Sequence, residues 1–134
     1  MATDPKDVVR AFVDALNRQD FGRVGELITP DFSYTIMAYD LPGAQMPMGG
    51  ETMLKVLPGM LALFDETGPQ LELTRLVAED GWVVAEARGS GFFRDGSPYA
   101  NRYANFYEVA DGRVRALREY MDTQHTATSF AAVQ

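Results

Sequence analysis

Apolar positions near the start of the chain recur with a helical period. Val8, Val9, Phe12, Val13 and Leu16 fall on one face, behind an Asp4-Pro5 start that offers a capping carboxylate and a proline at the first helical position. Asn17-Arg18-Gln19-Asp20 punctuates that helix, and Val24, Leu27 and Ile28 mark a short second one before Thr29-Pro30. Residues 32–37 read as a short strand. From Ala38 to Gly50 two prolines and three glycines predict a lid-like loop. Met53, Leu54, Leu57, Met60, Leu61 and Phe64 restore the helical spacing over 51–64, with Pro58 predicting a kink or break. After Gly68-Pro69 the period changes to 2. Strands are expected at 70–78, 82–93, 99–109 and 113–123, punctuated by Asp80-Gly81, Asp95-Gly96 and Asp111-Gly112. Helices first and an antiparallel meander second is an α+β layout.

Within the third of those strands, Tyr99, Asn101, Tyr103, Asn105 and Tyr107 share one face. A core row would be aliphatic and a solvent row mostly charged. Phenols and carboxamides instead suit a cavity wall, with aromatic bodies against an apolar ligand and polar tips to orient it. The other face carries Ala100, Arg102, Ala104, Phe106 and Glu108, a mixed strip suited to self-complementary pairing in a homodimer.

A three-residue loop over 110–112 pairs Val109 with Arg113. Tyr103 then lies opposite Glu119, Asn105 opposite Leu117, and Asn101 opposite Met121, all on the tyrosine face. Ala100 meets Asp122 on the other face, which sets Asp122 diagonal to Arg102. A one-residue slip would exchange the two carboxylates. On the 82–93 strand, Glu86, Arg88 and Ser90 share a face opposite to Ala85, Ala87, Gly89 and Gly91. Arg88 reads either as a structural ion pair or as an oxyanion-stabilising group. Gly89-Ser90-Gly91 lacks the third glycine of a dinucleotide fingerprint and marks a bulge or a close approach. Tyr39 and Asp40 lie in the lid-like loop. His125 follows the last strand and reads as a surface residue.

Composition narrows the chemistry. A net charge of −7 over 134 residues disfavours nucleic acid and anionic membrane surfaces. Without cysteine, and with His125 the one histidine, thiol catalysis, disulfides and multi-histidine metal sites drop out. No apolar run reaches membrane-spanning length and the start does not read as a signal peptide, so a cytoplasmic protein is expected.

The order of elements, Asp20 after Ala15-Leu16-Asn17, Asp31 entering the first strand, and the ending Asp111-Gly-Arg-Val-Arg-Ala-Leu-Arg-Glu-Tyr-Met-Asp122 resemble the SnoaL-like, ketosteroid-isomerase-like branch of the nuclear transport factor 2-like superfamily. The resemblance covers about residues 5–126. It implies a cone-shaped α+β fold, a curved mixed or antiparallel sheet wrapped around N-terminal helices and an internal pocket, often a dimer through the sheet's outer face. It places Phe12 where ketosteroid isomerases keep an oxyanion-hole tyrosine, Ile36 where they keep the base, and Asn105 where they keep a proton-donating acid. Phe12 and Ile36 can move no proton. Limonene epoxide hydrolases are similar through Arg88-Gly89-Ser90, where they have an acid in place of the serine, and through Glu119. A SnoaL-type aldol cyclisation, or a related isomerisation or elimination, is the chemistry that these residues contradict least.

The expectation is therefore a single SnoaL-like domain over 1–134, with a core at 5–126, the loop at 38–50 and a short tail at 127–134. It would act without cofactor or metal on a small, hydrophobic, oxygenated substrate. Glu119 moves the proton, and Tyr103, Asn105 and Arg88 hold the oxyanion. Phe12, Tyr34, Ile36, Tyr39, Asp40, Asn101, Leu117 and Met121 contact substrate. A non-catalytic binding or dimerisation module, or an epoxide hydrolase with an altered triad, are the alternatives.

Overall fold

The computed structural model describes residues 4–42, 44 and 46–133. Helix α1 (Pro5–Asn17) begins where Asp4 accepts the backbone N–H of Lys6, and turns Val8, Val9, Phe12, Val13 and Ala15 into the core. Each apolar side chain of that size contributes about 1.5–3 kcal/mol on burial. At its end, Asn17 accepts from Leu71 N (2.8 Å) and donates to Leu71 O (3.0 Å). The helix is thereby clipped across the concave side of the sheet.

Helix α2 (Phe21–Glu26) is capped by Asp20, and β1 (Ile28–Ile36) follows at once, earlier than the apolar pattern suggested because Ile28 begins the strand. The expected loop at 38–50 ends in a short strand, β2 (Met48–Gly49), paired with β1. Of that expected lid, Gly43 and Gln45 lie outside the described residues. Helix α3 (Gly50–Leu61) runs unbroken past Pro58. The proline sits in the last turn, where its missing N–H removes one hydrogen bond near an end that frays in any case.

Strands β3 (Gln70–Glu79), β4 (Trp82–Phe92), β5 (Pro98–Ala110) and β6 (Arg113–Met121) complete a six-stranded sheet in the order β2-β1-β6-β5-β4-β3. The β1–β6 pair is parallel and the others antiparallel, so the sheet is mixed, curved and open. Helix α4 (Thr123–Ala131) takes the place of most of the expected tail at 127–134. Two buried clusters result. The larger joins α1 to Val83, Ala85, Tyr107, Val114 and Leu117, and the smaller stacks Phe64, Phe93 and Tyr99 under Phe130 of α4. Among the described residues no helix is long and apolar enough to cross a membrane.

The last hairpin corrects the expected register. Asp111 and Gly112 both have positive φ (54° and 73°), a two-residue turn in which Ala110 pairs with Arg113. A bulge between Glu108 and Val109 then shifts the ladder, so Asn105 faces Glu119, Tyr103 faces Met121 and Tyr107 faces Leu117. The net displacement is an even number of residues. Glu119 therefore keeps the tyrosine face, although its neighbour across the ladder changes.

Candidate functional site

The alternation along β5 sorts its side chains as the pattern required. Tyr99, Asn101, Asn105 and Tyr107 are buried and Tyr103 half-buried, while Ala100, Arg102 and Ala104 are exposed on the outer face. On the inner side a cavity of about 150 Å³ opens between α1, α3 and the sheet. Its lining is mostly apolar, from Phe12, Leu16, Met53, Leu57, Met60, Leu61, Pro69, Leu71 and Leu117, and its polar members are Asn17, Gln70, Tyr34, Tyr99, Tyr103 and Glu119.

Glu119 is the one carboxylate among those lining residues. Its neighbours are apolar and aromatic, and burial pushes its carboxyl up from 4.5 to about 7. The opposing influence is Tyr34, whose hydroxyl donates to Glu119 Oε1 at 3.0 Å. Burial and the nearby Glu119 charge hold the Tyr34 and Tyr103 phenols above their ordinary range. Tyr107 is raised by burial too, with a hydrogen bond from Asn105 working against it. At neutral pH the phenols are proton donors, and the carboxyl is poised between its two forms.

The Tyr99 and Tyr103 hydroxyls lie 2.7 Å apart. Gly89 makes room for this pair, since a Cβ there would stand 2.7 Å from Tyr103 Cε2. Gly91 likewise lies against Pro69, where a Cβ would be 2.9 Å from its Cα. The Gly89-Ser90-Gly91 signal thus reflects close approach, and the β4–β5 ladder runs through it without a bulge.

Of the residues singled out from sequence for the site or its wall, Glu119, Tyr99, Tyr103, Tyr34, Phe12 and Leu117 meet at this cavity. The others do not. Arg88 is exposed on the outer face, directly across from Arg102, because the Ala85-Ala87-Gly89 side is the one that fits under the tyrosines. Glu86 approaches Arg75 (4.0 Å) in place of the expected Arg88. Asn105 is buried behind the cavity wall, its Oδ1 accepting Tyr120 N at 3.1 Å. The Asn101 amide is occupied by Tyr99, α4 and backbone. Ile36 pairs with Glu119 and Met121 with Tyr103, but neither lines the cavity. Tyr39 is 87 % exposed and Asp40 is also outside. Asp122 does not pair with Arg102: it caps α4, accepting from His125 N at 3.1 Å. The His125 ring lies against Tyr99 (5.6 Å between centroids), outside the cavity lining. Among the described residues no group of three His, Cys, Asp or Glu side chains could hold a metal ion.

Sequence reasoning did not assign Leu16, Leu57, Met60 and Leu61 to the cavity, because helical spacing marks a buried face without telling core from lining. It also missed Tyr34 as the partner of Glu119, a contact across 85 positions of sequence.

The profile of the SnoaL-like domain matches residues 9–117. This chain belongs to the SnoaL-like family. Among solved structures, IdmH from Streptomyces antibioticus, described as a candidate polyketide cyclase, is 21 % identical with a TM-score of 0.79, over 96 % of this chain and 99 % of its own. A limonene-epoxide-hydrolase-like enzyme of Mycobacterium tuberculosis is 22 % identical with a TM-score of 0.76, over 92 % of this chain and 86 % of its own. A nuclear transport factor 2-like protein of Burkholderia pseudomallei, whose function is unknown, is 16 % identical with a TM-score of 0.81, over 95 % of this chain and 97 % of its own. No curated protein is similar enough in sequence to count as a relative. At these identities the likeness shows the SnoaL-like fold, and the chemistry must be read from the cavity itself.

Proposed function

We propose that this SnoaL-like protein is a cofactor-independent acid/base enzyme that moves a proton next to the carbonyl of a small apolar substrate. The observation that carries this is the Glu119 carboxyl, held at about 7 at the polar end of an apolar cavity and bonded to Tyr34. In the forward step, ionised Glu119 takes a proton from the carbon beside the carbonyl. The C–H electron pair becomes a C=C bond, and the carbonyl π pair moves to oxygen. The enolate oxygen is held by the Tyr103 hydroxyl. Return of the proton from Glu119 to another carbon completes an isomerisation, and loss of a β-substituent with the electron pair completes an elimination.

A cavity of about 150 Å³ matches one that admits a single ring such as benzene. That size favours isomerisation or elimination of a monocyclic substrate over cyclisation of a long chain. The same reading has the protein acting in the cytoplasm as a homodimer through the outer face, where Phe106 packs on Tyr120 (5.6 Å) and Arg118 lies over Trp82 (5.0 Å). Light scattering at micromolar concentration checks the dimer, and a single-chain mass rejects it.

Glu119→Gln tests the chemistry. Glutamine keeps the volume and the bond from Tyr34 but carries no exchangeable carboxyl proton. Turnover of small cyclic enones should fall by on the order of 10²–10⁴ while binding persists. Turnover that survives removes Glu119 from the mechanism. If no enone is turned over but such ketones bind, the non-catalytic binding module is the better description.

A further inference from the structure

We propose that Asn101 is a positioning residue that sets the direction of the Tyr99–Tyr103 hydrogen bond, so that Tyr103 presents its phenolic proton to the cavity and donates it to an acceptor oxygen of the ligand. The proposal deepens the reading of the cavity as a ligand site and does not depend on Glu119 being a proton carrier.

The direction follows from donors and acceptors. Asn101 Oδ1 accepts the backbone N–H of Arg102 (2.8 Å) and of Asp122 (3.3 Å). A flipped amide would set its own N–H₂ group against those two donors, so the orientation is fixed. Nδ2 therefore faces Tyr99 Oη (3.0 Å), Thr126 Oγ1 (2.9 Å) and Asp122 O (3.2 Å). Thr126 gives its own proton to Asp122 O, which leaves its oxygen free to accept from Asn101. The two Nδ2 protons serve the two shortest of these contacts, Thr126 Oγ1 and Tyr99 Oη, and an amide nitrogen can only donate, so the Tyr99 oxygen accepts.

A phenol has one proton. The remaining hydrogen-bond partner of Tyr99 is Tyr103 Oη, 2.7 Å away, and the Tyr99 proton goes there. Tyr103 then accepts, and its own proton must point elsewhere. Its ring lines the cavity. The chain runs from Asn101 to Tyr99 to Tyr103 to ligand, all donors aimed inward, and each link polarises the next by about 10–30 %.

Helix α4 holds the start of this chain. Thr126 and the Asp122 cap grip Asn101, and Phe130 packs edge-on against the Tyr99 ring at 5.7 Å. No residue of α4 lines the cavity. Its contribution reaches the ligand only through the hydroxyls it orients.

The test uses the full protein with cyclohexanone labelled with ¹³C at the carbonyl, read by infrared difference spectroscopy at pH 8, where Glu119 is mostly ionised. The bound carbonyl band should lie at lower frequency than in an apolar solvent. Tyr103→Phe should abolish that shift. Asn101→Asp should abolish it too, since a carboxylate would accept from Tyr99 and turn Tyr103 back toward Tyr99, while calorimetry still shows the ketone bound. If Asn101→Asp fails to fold, Tyr99→Phe removes the polarising donor, and the shift should shrink. Arg88→Ala, on the outer face, should leave it in place, and because the band is read without turnover, failure of the acid/base reading and failure of this proposal give different results. A shift unchanged in Asn101→Asp or Tyr99→Phe overturns the proposal, as does the absence of any bound band at saturating ketone.

Discussion

The two faces of β4, β5 and β6 hold the same classes of residue in opposite conditions. On the inner face one carboxylate, Glu119, stands among phenols and aliphatic side chains, and burial raises it to about 7. On the outer face Glu86 and Glu108 approach Arg75 and Arg115 at 4.0 and 3.9 Å, in contact with water. Pairs of that kind contribute little, because solvent screens both charges. The same holds for hydrogen bonds. Inside, the hydroxyls of Tyr34, Tyr99 and Tyr103 each have a named partner. Outside, Arg88 and Arg102 stand directly across from each other as like charges, an arrangement that only a solvated or partner-covered surface tolerates. Acidity and hydrogen-bond partnership here come from the side of the sheet a residue occupies more than from its type.

The sharpest way to break this comparison sets one face against the other in activity. Glu119→Gln should lose turnover by on the order of 10²–10⁴, whereas Arg88→Ala should change it less than about threefold. A large loss in Arg88→Ala would mean that the outer face takes part in the chemistry.

Stability against pH comes next. A carboxyl raised from 4.5 to about 7 favours its protonated form in the folded state. Its contribution is therefore fully present below pH 4.5 and is lost as pH rises through about 7, on the order of 3 kcal/mol in all. Chemical denaturation at pH 5 and pH 8 should show Glu119→Gln gaining on the native protein at the higher pH. An equal difference at both pH values would place Glu119 in water.

Gly89→Ala should cost about 1–3 kcal/mol, because the new methyl would meet the Tyr103 ring edge at 2.7 Å. Urea melts check it. The companion change Ser90→Ala, on the outer face of the same strand, should stay within about 0.5 kcal/mol.

Tyr34→Phe removes the hydrogen bond that opposes burial at Glu119. The inflection in the pH profile of kcat/KM should move upward from about 7, with the fold retained. A profile that stays in place, or moves down, would show that Tyr34 does not stabilise the ionised carboxyl.

Much of this was legible in the chain. Period 3.6 before Gly68 and period 2 after it located α1, α3 and the four long strands. Alternation on β5 separated Tyr99, Asn101, Tyr103, Asn105 and Tyr107 from Ala100, Arg102 and Ala104, and together with the turn at Asp111-Gly112 it set Glu119 on the tyrosine face. These are local properties: side-chain direction repeats every two residues in a strand, and a misjudged turn that shifts the register by an even number leaves faces unchanged.

Tertiary structure decided the rest. The bulge at Glu108/Val109 chose Asn105 as the partner of Glu119, and no residue pattern announces such a bulge. Which face of β4 looks inward depended on where Tyr103 needed space, and this sent Arg88 outward. Asp122 became a helix cap once α4 formed beyond β6. Asn101 and Asn105, chosen as ligand donors for their chemistry, were bonded by backbone and helix that the strand alone does not contain. The pocket carboxyl is raised by burial under α1 and α3, and the Tyr34 hydroxyl that works against the rise arrives from 85 positions away. Alternation follows from the geometry of one strand, whereas burial, and with it pKa and hydrogen-bond partnership, exists only when distant segments meet.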